Sequence, residues 1–204
     1  MAGRERDLER FLTFIDAVVA IAITLLVLPL AEVGSEIGQD ETVAEVLREH
    51  IVDIFGFLLS FAVISRLWLA QHAIVSGLAR QTSAVVNLLL AWTLTIVFLP
   101  FPTTLVTATD NSGLVKVLYI GTMAVSSALL TWLSWLIARD RSLRDRDAAP
   151  HTVDIAATTI IFFVALVVSL IFPASSYFPL LLLLLAEPIT NWLKRRRAAA
   201  PVSR

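Results

Sequence analysis

No cysteine occurs among the 204 residues, which removes disulfides and thiolate metal sites and leaves the redox compartment unreadable. Charge is scarce too. Only 16% of the residues are Asp, Glu, Lys or Arg, and 16 basic against 17 acidic side chains leave a net charge of −1. That sum points to no nucleic acid or other charged partner; the placement of the charges says more than their total. The three histidines, His50, His72 and His151, are too scattered for a proton relay, and no His, Asp and Glu set has metal-ligand spacing. A glycine-rich phosphate loop is missing. So is a TVGYG run that would build a filter of backbone carbonyls. An enzyme, a resident metal and a cofactor therefore have no footing here.

What the chain has in abundance is apolar length. Hydrophobic residues make up 57% of it and its mean hydropathy is +0.81, well beyond a soluble domain. Six runs are long enough to cross a hydrocarbon core of roughly 30 Å at about 1.5 Å per residue. They fall at about 11–31, 50–76, 83–106, 113–138, 152–172 and 176–193. The expectation is an all-α polytopic membrane protein, a single six-span domain over residues 1–204. The charged start running into an apolar stretch resembles a signal peptide, but the stretch is long and has no clean small-x-small cleavage site, so it reads as a retained first helix. No internal repeat is evident, which leaves an inverted-repeat transporter without support.

Orientation follows from Lys and Arg. With both termini cytoplasmic, Arg4, Arg6, Arg10, Arg66, Arg80, Arg139, Arg141, Arg144, Arg146, Lys194 to Arg197 and Arg204 lie inside, and only Arg48 and Lys116 lie outside. The outer connection, Glu32 to Glu49, is acidic, and it is either a solvated loop or a vestibule that concentrates cations. The two prolines of LPFPTT, Leu99 to Thr104, are expected to end the third span near the outer face. Trp132, Trp135 and Trp192 read as interfacial anchors, and the basic cluster from Lys194 to Arg197 as a contact for anionic membrane lipid.

The first span carries the most information. On a wheel of 100° per residue, Phe14, Val18, Ile21, Leu25 and Leu28 form one narrow stripe. Such a stripe is either a lipid- or neighbour-facing packing surface or the seam along which copies of one helix meet. Thr24 borders it, while Ala17 and Ala20 lie further round. Asp16 points away from it, and a carboxylate at membrane depth needs a partner. Arg10 lies about 120° round the same helix, out of reach. Trp68 and His72 of the second span, which share a face, and Asn87 of the third are the candidates for a hydrogen-bonded cluster, and His72 is also a possible pH sensor.

These residues carry a family resemblance. Arg10-x-x-x-Phe14-x-Asp16 followed by AIAITLLVL, Ala20 to Leu28, resembles the first-helix signature of the transmembrane-protein-175 type of potassium channels, in their single-repeat prokaryotic form. WLAQH, Trp68 to His72, and NLLLAWTLTIVFLPFPT, Asn87 to Thr103, resemble the second and third helices of that family. The resemblance implies a homotetramer in the cell membrane whose four first helices line the pore. It places the hydrophobic constriction on Ile21, further apolar rings on Leu25 and Leu28, and the hydroxyl associated with selectivity on Thr24. It makes Arg10, Asp16, Trp68, His72 and Asn87 an inter-helix polar network. The chain departs from the signature at Ile15 and Ala17, where the family has Ser and Gly, and at Gln71, where it commonly has His. The expected function is a passive, potassium-preferring cation channel, with K⁺ as the permeant ion and the protein itself and membrane lipid as its only partners. The alternatives are a small proton-coupled transporter using Asp16 and His72, and a non-conducting membrane scaffold.

Overall fold

Proline decides where the helices break. The computed structural model describes residues 2–36, 42–80, 82–108, 113–140, 142–143, 159–160 and 164. Along them run α1 (Ala2–Leu25), α2 (Leu28–Glu36), α3 (Val43–Glu49), α4 (Ile51–Val75), α5 (Ser83–Phe98), α6 (Pro100–Ala108) and α7 (Gly113–Arg139). Among the described residues, four stretches are long and apolar enough to cross a membrane: Arg6–Val33, Ile51–Val75, Ser83–Val106 and Gly113–Arg139. The expected spans at 152–172 and 176–193 lie outside the described residues, save for isolated positions in the former.

The first and third of these stretches are each two helices in sequence. Pro29 has no N–H to give to the Leu25 carbonyl. The chain answers with two bonds that reach back only three residues, Leu26 N–H to the Ile23 carbonyl at 3.3 Å and Val27 N–H to that of Thr24 at 3.2 Å. The ladder resumes when Ala31 N–H meets the Val27 carbonyl at 3.0 Å. The first span, read as one helix, thus breaks between Leu25 and Leu28. In the third, Pro100 and Pro102 interrupt the helix at Leu99 rather than ending it. Both prolines sit in the first turn of α6, where a missing N–H costs little, and Thr103 N–H rejoins the Leu99 carbonyl at 3.1 Å.

The acidic connection is partly helical as well. Thr42 caps α3 through a capping box: its hydroxyl and backbone N–H both donate to the Glu45 carboxylate, at 2.7 and 3.0 Å, and Glu45 N–H returns to the hydroxyl at 3.4 Å. The hydroxyl first, then the N–H, holds the Glu45 carboxyl below its usual value.

One apolar core runs through the bundle. Ile15, Val19 and Ala22 of α1 and Leu26 of the turn after it, at spacings of four, three and four, share this core with Leu67 and Ile64 of α4, Leu89, Trp92 and Ile96 of α5, and Ile120 and Met123 of α7. At the end bearing Asp53, buried hydroxyls stitch three helices together. Ser60 of α4 bonds Thr103 of α6 at 3.1 Å and Tyr119 of α7 at 2.7 Å. At the opposite, basic end the turn after α4 is held to the segment after α7, for Ala79 N–H donates to the Leu143 carbonyl at 2.8 Å and the Leu143 side chain is buried. Asp140 organises that segment, accepting from the hydroxyl and N–H of Ser142 at 2.7 and 2.9 Å; these bonds, with a smaller help from Arg80, lower its pKa. Trp132 and Trp135 of α7 project outward near the same end, and the Arg139 guanidinium lies over the Trp135 ring, 5.1 Å from its centroid.

Candidate functional site

α1 has two unlike faces. One is the core stripe of Ile15, Val19 and Ala22, continued past the helix end by Leu26. On the other side of the helix Phe14, Ala17, Ala20, Ile21, Thr24 and Leu25 are exposed, with Leu28 continuing the series past the break. Ile21 is 59% exposed and Leu28 52%. Val18, also on the wheel's stripe, is half-buried at its edge. Thr24 is the polar member of the exposed face. Its hydroxyl donates to the Ile21 carbonyl at 2.8 Å, so the proton is committed to the helix and the oxygen lone pairs are left facing outward.

Asp16 occupies the border between the two faces and is half-buried. The Trp68 indole N–H of α4 donates to its Oδ1 at 2.8 Å, a charge-assisted bond that ties α1 to α4. The His72 ring lies against the Trp68 ring, with centroids 5.7 Å apart and planes tilted by 36°. Asp16, Trp68 and His72 are therefore brought into one row. Arg10 and Asn87 are not: both are exposed, and among the described residues neither has a hydrogen-bond or ion-pair partner. Gln71, beside His72, is buried and its carbonyl oxygen has no partner among the described residues.

Some polar residues escape sequence reasoning. Ser60 is a single serine in an apolar run, and nothing in its spacing announces the cluster with Thr103 and Tyr119. Lys116, read only as one of the two basic residues on the far side, is buried within α7; a lone lysine three residues inside a span is the signal that could have found it. At the acidic end His50 and Asp53 are joined by a hydrogen bond, Nδ1 to Oδ2 at 3.0 Å. Asp53 also borders a small cleft behind the break in the first span, lined by Leu26, Pro29, Leu30, Phe57, Thr103 and Thr104. Among the described residues, no group of three or more His, Asp or Glu could hold a metal ion.

Comparison with known proteins locates this arrangement. The family model described as the endosomal/lysosomal potassium channel TMEM175 matches residues 10–100, the stretch holding the exposed face of α1 and the Asp16–Trp68 bond. A potassium channel of Chamaesiphon minutus is 36% identical over 107 residues, 51% of this chain and 51% of that protein; the match spans about half the length of this curated relative. The fold resembles the crystal structure of a lysosomal potassium-selective channel TMEM175 homolog from the same organism, with a TM-score of 0.75 and 27% identity over 91% of this chain and 99% of that one. Family model, curated relative and solved structure agree in what this multi-pass membrane protein resembles, the TMEM175 family.

Proposed function

We propose that the protein is a passive, potassium-preferring cation channel, a homotetramer in the cell membrane with both termini cytoplasmic and the four copies of α1 around the pore. The observation that carries this reading is the exposed face of α1. A span in a bundle with a well-packed core leaves Ile21, Thr24, Leu25 and Leu28 uncovered in one row, and the family relatives are named as potassium channels.

In this reading four Ile21 side chains form the narrowest ring and close the pore by expelling water, with Leu25 and Leu28 as further apolar rings on the outward side. When the ring widens, a partly dehydrated K⁺ passes the Thr24 oxygens, whose lone pairs are free because the hydroxyl proton is bonded to Ile21. Potassium sheds water more readily than sodium, and that gives a preference without a carbonyl cage. Asp16 and Trp68, with His72 stacked against the indole, hold the wall from behind. Arg10 and Asn87, exposed in the protomer, complete the network between copies.

Purified protein in a planar bilayer with K⁺ on one side and Na⁺ on the other tests this directly. A non-saturating current that reverses toward the K⁺ equilibrium potential is expected. Ile21→Ala should raise the leak at rest, because it removes the apolar ring while leaving Thr24 in place. Unchanged leak takes Ile21 out of the gate; a saturating flux driven by a pH gradient, or no flux at all, defeats the channel reading.

A further inference from the structure

The outer face of α7 ends in a charged group that the bundle does not use. Val117, Val125, Trp132, Trp135 and Arg139 are all exposed, and at 100° per residue they fall on one side of the helix. An apolar strip thus runs into two tryptophans and then a guanidinium, the order in which a membrane presents acyl chain, interface and headgroup. The Arg139 guanidinium is held but not paired. It lies over the Trp135 ring, 5.1 Å from the centroid, a cation–π contact that steadies the charge and leaves its N–H donors unspent. Among the described residues none of those donors meets an acceptor. Asp140, next in the chain, does not supply one: its carboxylate accepts from the hydroxyl and N–H of Ser142, and Arg80 lies close enough to offset its charge. A guanidinium with an open fork of donors matches two oxygens of a phosphate ester.

We propose that the outer face of α7 is a binding site for one anionic phospholipid, with the headgroup phosphate on Arg139, Trp132 and Trp135 at the level of the esters, and an acyl chain along Val125 and Val117. Charge and shape choose this occupant together. A free phosphate would use the guanidinium alone and leave the apolar strip uncovered. A zwitterionic lipid would bring its own cation up against Arg139 and Arg80, whereas an anionic one neutralises the site. Nothing in this depends on conduction, so it goes beyond the channel reading and stands or falls apart from it.

The test takes the purified full chain in a neutral detergent and counts bound lipid by native mass spectrometry. Dioleoylphosphatidylglycerol should bind more tightly than dioleoylphosphatidylcholine. Arg139→Gln should weaken phosphatidylglycerol binding about tenfold, the scale of one charge-assisted hydrogen bond, and leave phosphatidylcholine binding as it was, so that the preference disappears. Trp135→Leu keeps the charge but removes the ring that steadies it, and should weaken phosphatidylglycerol binding about threefold; it decides the matter if Arg139→Gln fails to fold. Changing Lys194, Arg195, Arg196 and Arg197 to Gln, at the other lipid contact expected from the sequence, should leave the preference in place. An unaltered preference in the deciding variant overturns the proposal, as does one that vanishes with the Lys194 to Arg197 change alone. Full displacement of phosphatidylglycerol by inorganic phosphate would make this a site for a free anion, and a changed subunit number in Arg139→Gln would make the face a contact between copies. Either result also overturns it.

Discussion

Asp16 illustrates what a single residue can and cannot announce. A carboxylate one turn inside an apolar span signals a buried partner on general grounds, and the sequence offered Trp68 as one of several candidates. The bond from the indole N–H at 2.8 Å selects among them. Replacing Trp68 by Phe keeps the ring and removes the donor, leaving the carboxylate short of a bond within the membrane. A loss of about 1–3 kcal/mol is expected, seen as a lower Tm in detergent. Asp16→Asn should cost less, since an amide oxygen still accepts from the indole; equal losses for the two would show that the bond is not what stabilises the pair. Ser60 was illegible for the opposite reason. Its partners Thr103 and Tyr119 are 43 and 59 residues away, and a serine in an apolar run carries no period that would betray them.

At the scale of the helix, local rules gave the position of the break at Leu99 but not its outcome, and the break after Leu25 went unread although Pro29 lies within the span. Pro100 and Pro102 were bound to interrupt the third span. Whether a helix then ends or restarts depends on whether the prolines fall in the first turn of a new helix, and packing of α6 against α4 and α7 decides that. The stripe on α1 was legible from its period. That the stripe is left exposed while Ile15, Val19, Ala22 and Leu26 form the core required the neighbouring helices. α3 went unread although Thr42 and Glu45 have capping-box spacing, because seven residues are too few to show a period. Its stability should depend on pH. The Glu45 carboxyl has a lowered pKa in the fold, so the stabilisation is present above the ordinary carboxylate range and is lost as pH falls through the depressed value. Amide exchange in α3 should therefore quicken in acid, and Glu45→Gln should remove most of that pH dependence. An acid response as strong in Glu45→Gln as in the native chain would assign it elsewhere.

For the molecule as a whole, the absence of cysteine makes the assembly easy to test. Ile21→Cys places one thiol on the exposed face of α1, and Leu94→Cys places one on an exposed position of α5. If copies meet along α1, mild oxidation in the membrane should link protomers bearing Ile21→Cys into dimers and leave those bearing Leu94→Cys single. The reverse pattern would put α5 at the shared axis. Neither period nor composition could choose between these faces, since both are apolar and exposed in the protomer. The exposed face of α1 has a last consequence, in genetics. If four copies surround one passage as proposed, a lesion there is met four times around it, and one altered copy is enough to spoil it. With two alleles expressed equally and mixed at random, only about one complex in sixteen is wholly normal. Lesions on that face should behave as dominant, and those in the core, which unfold their own copy before it assembles, as recessive.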